Sequence, residues 1–207
     1  ETINRFMDEK EELKLYEHVL KEINLQRPHV LSAEQEALLA QASEVLSASS
    51  NTFGMLNNAD LRFPSIKDEN GKEVELTHGR YTRFLESADR RVRKEAFEAM
   101  YKTYGQYKNT FASTLAGTVK KDNFYAKVRN YSNAREAALS ANNIPESVYE
   151  NLVGAIHDNL DLLHRYVRLR KKILGVEELH MYDLYTPLVK DVKMEIPYED
   201  AKNYVLN

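Results

Sequence analysis

The sequence contains no cysteine, which excludes disulfides, thiolate metal ligands and cysteine nucleophiles. The lack is compatible with a reducing compartment, where bridges do not persist. Nor is there a surplus of charge. Lys and Arg total 29 against 32 Asp and Glu, and a net charge of −3 offers no broad positive field to a nucleic-acid backbone. Nucleic acid is therefore not expected as a partner. No apolar run approaches the ~20 residues that cross a bilayer, and Glu1-Thr2-Ile3-Asn4 lacks the basic stretch and hydrophobic segment of a secretion signal. A membrane is not expected either. Gly71 and Gly79 stand alone, so no loop cradles a phosphate, and no serine sits in a G-x-S-x-G elbow. There is no internal repeat of 20–50 residues and no low-complexity linker.

What is there reads as a soluble globular protein: 43% hydrophobic and 29% charged residues over 207 positions. A folded chain of this size buries ~70% of its unfolded surface, as one large domain or two small ones. Apolar residues at Phe6, Leu13, Tyr16, Leu20 and Ile23 follow helical spacing until Pro28. Ser32-Ala33-Glu34-Gln35 is a capping box for a second helix, with Leu38, Leu39, Ala42, Val45 and Leu46 as its inner stripe. The rhythm then breaks. Leu61 to Ile66, the turn Asp68-Glu69-Asn70-Gly71, and Val74 and Leu76 alternating with glutamates predict a small β-hairpin.

Thr77 is expected to cap a short helix through Leu85, and Ser87 the long one after it. From Asp89 to about Asn130 the period runs through Phe97, Tyr101, Tyr104, Phe111, Leu115 and Val119, with Gly105 and Gly117 as points of close packing. Pro145 opens another long helix whose stripe, Val148, Leu152, Ile156, Leu163, Val167 and Leu174, ends at Gly175. Pro197 opens the last. The expected fold is mainly α, an array of long antiparallel helices with one small β-hairpin. Residues 1–86 form an amino-terminal helical subdomain that includes the hairpin, and 87–207 form a long-helix region. The chain starts without Met and stops inside a helical pattern, so it reads as a segment of a longer polypeptide.

Six histidines, His18, His29, His78, His157, His164 and His180, are the candidate metal ligands and acid-base groups. None is followed by Glu, so the H-E-x-x-H zinc helix is excluded by inspection. His157, Asp161 and His164 share a helix face with Arg168 and read as a solvated or cleft-facing polar row rather than a metal site. The basic run Arg90-Arg91-Val92-Arg93-Lys94 reads as a salt-bridged face through Arg91–Glu95 and Lys94–Glu98. Thirteen tyrosines are amphipathic core residues for the most part, with a minority available to peptide backbone. Composition and spacing thus reach a helical domain without an evident catalytic centre.

Several segments go further. Ala59-Asp60-Leu61-Arg62-Phe63-Pro64, Leu76-Thr77-His78-Gly79-Arg80-Tyr81-Thr82-Arg83-Phe84-Leu85-Glu86-Ser87 and Asp89 to Lys94 resemble the amino-terminal region of the oligoendopeptidase F family. So do Asn109 to Leu115, Tyr131 to Leu139, Asn142-Asn143-Ile144-Pro145 and Tyr182-Asp183-Leu184-Tyr185-Thr186-Pro187-Leu188. The resemblance implies part of a larger, mostly helical zinc endopeptidase of the cytoplasm, with a deep cleft that admits oligopeptides. In that family, two histidines of H-E-x-x-H and a later glutamate bind zinc. None of these can be placed on residues 1–207, so zinc is expected of the full-length enzyme and not of this segment. The expected partners are oligopeptide substrates and a carboxy-terminal catalytic half, with residues 87–207 as one wall of the cleft. Tyr182, Asp183 and Tyr185 are the candidate cleft residues; no catalytic residue is assigned. The alternative is a self-sufficient helical interaction module without catalysis, and for Tyr182, Asp183 and Tyr185 the anchoring of a loop by buried hydrogen bonds.

Overall fold

The structure is a computed structural model that describes residues 2–189 and 196–206. Helices α1 (Thr2–Glu9) and α2 (Glu17–Gln26) flank a 3-10 segment, Glu11–Tyr16, and Pro28 sits in a short 3-10 turn after them. The 1–25 helix of the sequence reading is thus interrupted. Helix α3 (Ala33–Leu46) starts on the expected box: the Ser32 hydroxyl accepts from Gln35 N–H, and the Gln35 side chain accepts from Ser32 N–H. Leu39 is buried, whereas Leu38 and Val45 lie about 100° round the helix and are 67% and 76% exposed. Helix α4 (Ala48–Met55) follows, closed by a π turn at Leu56–Asp60.

Strands β1 (Ser65–Lys67) and β2 (Glu73–Glu75) pair antiparallel in the register Ser65↔Glu75, Ile66↔Val74, Lys67↔Glu73. Asp68 closes the turn by accepting from the N–H groups of Asn70 and Lys72, and Gly71 supplies the left-handed backbone (φ 78°) that the turn needs. Helix α5 (His78–Leu85) is capped by the Thr77 hydroxyl as expected. Helix α6 (Arg90–Gln106) is capped by Asp89, whose carboxylate accepts from Arg91 N–H. Ser87, expected as that cap, instead accepts from Asp89 N–H one step earlier. Then come α7 (Lys108–Val128), α8 (Ala134–Ser140), α9 (Glu146–Asp158), α10 (Leu160–Leu174) and α11 (Tyr198–Leu206).

Two helices expected to run unbroken are therefore divided. Tyr107 (φ −108°, ψ 14°) parts α6 from α7, and Asn159 (φ −113°, ψ 10°) parts α9 from α10. The same two places bound two compact units. One holds residues up to Leu61 together with Tyr107–Asp158; the other holds Arg62–Gln106 and the residues from Asn159 onward. This grouping differs from a cut at 86/87. The reason is that the hairpin packs on α5 and α6: Ile66, Leu76, Phe84, Val92, Ala96 and Met100 form one buried cluster, flanked by Phe63, Val74, Tyr81 and Tyr104. Arg91 fastens the turn to α6 by donating to the carbonyls of Lys67 and Asp68.

In the first unit α4 lies tightly against α7, with Phe53 and Phe111 edge to face at 5.8 Å. Gly117 allows this approach, since a Cβ there would fall 2.8 Å from Ser49 Cβ and collide with its hydroxyl. Gly105, the other glycine read as a packing point, has open space beside it. We expect Gly117→Ala to destabilise the protein by ~1–3 kcal/mol through overpacking, measured by urea unfolding. Gly105→Ala should be neutral or stabilising by up to about 1 kcal/mol, from helix propensity alone. Equal effects of the two would contradict the packing account. Arg129, at the carboxy end of α7, forks onto both oxygens of Glu36 at 2.8 Å, and His29 stacks on Tyr131 with centroids 3.6 Å apart. These contacts tie His29 and the first turn of α3 to the end of α7 and the residues just after it.

Candidate functional site

The sequence candidates lie after α10, where the chain leaves regular structure. Gly175 ends α10 in the left-handed conformation (φ 64°), with Gly175 and Val176 N–H groups returning to the carbonyls of Lys172 and Lys171. A 3-10 turn, Met181–Asp183, then brings the Asp183 carboxylate back onto His180 N–H at 3.0 Å.

Asp183 is fully buried and surrounded by guanidinium groups. Arg90 donates Nε to Oδ1 (3.1 Å) and Nη2 to Oδ2 (2.9 Å), and Nη2 also reaches the Glu178 carbonyl (2.8 Å). Arg93 donates Nη2 to Oδ1 (2.9 Å) and Nη1 to the carbonyls of Ser87 and Ala88. Spaced by three on α6, these two arginines share a face and meet one carboxylate. Arg170, from α10, donates Nη2 to the carbonyls of Asp183 (2.9 Å) and Thr186 (2.6 Å) and Nη1 to the Tyr166 hydroxyl (3.2 Å). Thr186 adds a hydroxyl bond to the Ser87 carbonyl. Burial alone would raise the Asp183 pKa, but the hydrogen bonds from Arg90, Arg93 and His180 N–H outweigh it and hold the carboxyl at about 2. Asp183 is thus an anion at neutral pH and the hinge pin of the loop.

Of the three candidate residues, Tyr182 and Asp183 are buried and Tyr185 is 59% exposed. Tyr182 packs its ring on Phe97 (5.9 Å) and His180 (4.9 Å), with the Arg90 guanidinium 5.3 Å from its centroid. The Tyr81 phenol is pushed up to about 12, first by burial and then by the phenols of Tyr101 and Tyr185. The expected pairs Arg91–Glu95 and Lys94–Glu98 form, at 3.0 and 3.8 Å. The reading of that basic run missed Arg90 and Arg93, which turn to a carboxylate 93 and 90 residues away. Arg170 was missed as well. A hint lay in the sequence, since Arg90 and Arg93 share a face and neither has an acid three or four residues further along the helix.

The remaining histidines have ordinary roles. His78 Nε2 and the Tyr104 hydroxyl are hydrogen-bonded at 2.7 Å, and His18 meets Glu22 at 3.4 Å. His157, Asp161, His164 and Arg168 are exposed, and the break at Asn159 removes the single helix face on which they were aligned. Among the described residues no group of three His, Asp or Glu side chains could hold a metal ion. The described residues therefore bring together no donor set for the zinc that the family resemblance implies. No described helix is long and apolar enough to cross a membrane.

Comparison with known proteins places the chain. The family model for oligopeptidase F matches residues 1–63, and that for peptidase family M3 matches residues 83–206. The chain belongs to the family M3 peptidases. Among its relatives are the oligopeptidase PepF of Bacillus subtilis, 65% identical over 99% of this chain and 30% of that protein, and the group B oligopeptidase PepB of Streptococcus agalactiae, 50% identical over 95% and 32%. The crystal structure of oligoendopeptidase-F from Enterococcus faecium superposes with a TM-score of 0.84 at 57% identity, covering 92% of this chain and 38% of that one. The chain thus spans about a third of the length of the relatives it matches.

Proposed function

We propose that this chain is the amino-terminal part of a cytoplasmic zinc endopeptidase that hydrolyses oligopeptides. In this reading residues 87–207 shape one wall of the substrate cleft, and the chemistry belongs to a carboxy-terminal half. The observation that carries the reading is the 65% identity to an oligopeptidase over 99% of this chain but only 30% of that protein. Burial supports it. Val148, Leu152 and Ile156 on α9 are each more than half exposed, although their spacing is that of an inward-facing stripe. Side chains at such spacing are suited to covering by further chain. Tyr185 is proposed to contact peptide directly, with Tyr182 and Asp183 holding its loop.

The test is the gene and its product. An open reading frame that continues into H-E-x-x-H, whose purified product cleaves fluorogenic oligopeptides and loses that activity to a chelator, is the expected result. A stop codon near residue 207 would leave a helical interaction module instead.

A further inference from the structure

Arg170 is 6% exposed and has no carboxylate partner among the described residues, and its buried Nε–H has no acceptor among them. A buried cation so placed weakens a fold, and an apolar side chain of similar volume would serve packing better. What arginine supplies there is its fork of donors. Nη2 joins the carbonyls of Asp183 and Thr186, at 2.9 and 2.6 Å. Those two residues bracket Leu184 and Tyr185, so the bond closes the short arc that carries the Tyr185 ring. On either side the backbone is already pinned, by Arg90 and Arg93 on Asp183 and by Thr186 on the Ser87 carbonyl. Tyr185 is the residue of this arc with its side chain well into solvent, at 59% exposure.

We propose that Arg170 is a positioning residue that holds Tyr185 to meet the main chain of a bound oligopeptide. The assignment rests on the peptidase reading above. A phenol both donates and accepts, as a peptide main chain does at every residue, and its ring packs on side chains of many kinds. Such a side chain can meet extended peptide without selecting charge. Arg170 acts only through the arc it closes, and so differs from a group that touches the ligand.

The experiment uses the longer polypeptide that carries these 207 residues, with steady-state kinetics on a fluorogenic oligopeptide and metal analysis of each variant. Tyr185→Ala and Arg170→Met are each expected to raise KM by ~tenfold while zinc content stays at the unaltered level. The double variant should be no worse than the weaker single one, because the arginine has nothing left to present once the phenol is gone. A KM within about twofold of the unaltered enzyme in Tyr185→Ala would overturn the proposal, and so would a double variant that multiplies the two losses to ~hundredfold. If Arg170→Met does not fold, Arg170→Lys keeps the cation while losing the fork, and Tyr185→Ala, at an exposed site, decides alone. Absence of cleavage by the unaltered long polypeptide would remove the peptidase reading, and this assignment with it.

Discussion

Asp183→Ala is expected to destabilise the protein by ~3–5 kcal/mol, because it leaves Arg93 buried without its counter-ion. Arg93 is 3% exposed, and its carbonyl partners at Ser87 and Ala88 carry no full charge to replace the carboxylate. Arg90 is partly solvated and would lose less. Asp183→Asn keeps the shape and one acceptor oxygen, so a smaller loss is expected from it. Urea unfolding measures both. The unaltered protein should carry a matching dependence on pH. The carboxyl lies at about 2 in the fold against an ordinary 3.8. A lowered pKa contributes stability that is complete above the unfolded value and is lost as pH falls through the folded one, here between about 4 and about 2. The shift corresponds to about 2 kcal/mol. Asp183→Asn should abolish that part of the acid sensitivity. An Asp183→Ala protein as stable as the original, or an acid limb unchanged in Asp183→Asn, would show that the arginines are satisfied some other way.

The same cluster explains which parts of the molecule could be read from sequence. Local signals were legible: the Ser32 box, the Thr77 cap, the Asp68–Gly71 turn and the Gly175 stop each act within about four residues, and each forms as written. The divisions at Tyr107 and Asn159 were not, because neither residue is a proline or glycine and the apolar period continues across both. Burial also escaped the reading. Leu152 and Ile156 have the spacing of core residues and are exposed, since periodicity reports which residues share a face and not what covers it. Tyr182, Asp183 and Tyr185 were singled out as cleft candidates only through the family-like residues around them. Their division into a buried pair and an exposed phenol is set by Arg90, Arg93 and Arg170, which approach from α6 and α10. A contact that spans 90 residues leaves no periodic trace.

Residues 1–207 alone are expected to show no measurable cleavage of fluorogenic peptides, even with added zinc, whereas the proposed longer polypeptide is expected to cleave them. The basis is chemical. Water at pH 7 attacks an amide at a useful rate only when a Lewis-acidic metal lowers its pKa and a positioned base takes its proton. Three protein ligands and an open position are the least that a catalytic zinc requires. Here no histidine precedes a glutamate, and among the described residues no three His, Asp or Glu side chains converge. Asp183, the most buried carboxylate of the site, is committed to two arginines and a backbone N–H, which keeps it ionised and far too weak a base to activate water. Calorimetric titration should accordingly find zinc binding no tighter than about micromolar, in keeping with scattered single ligands. Arg168 beside His164 in the row that came nearest to ligand spacing adds repulsion for a cation. A tight one-to-one zinc site lost in His164→Ala, or zinc-dependent cleavage by the 207-residue chain that survives controls for contaminating proteases, would place the chemistry in this segment after all.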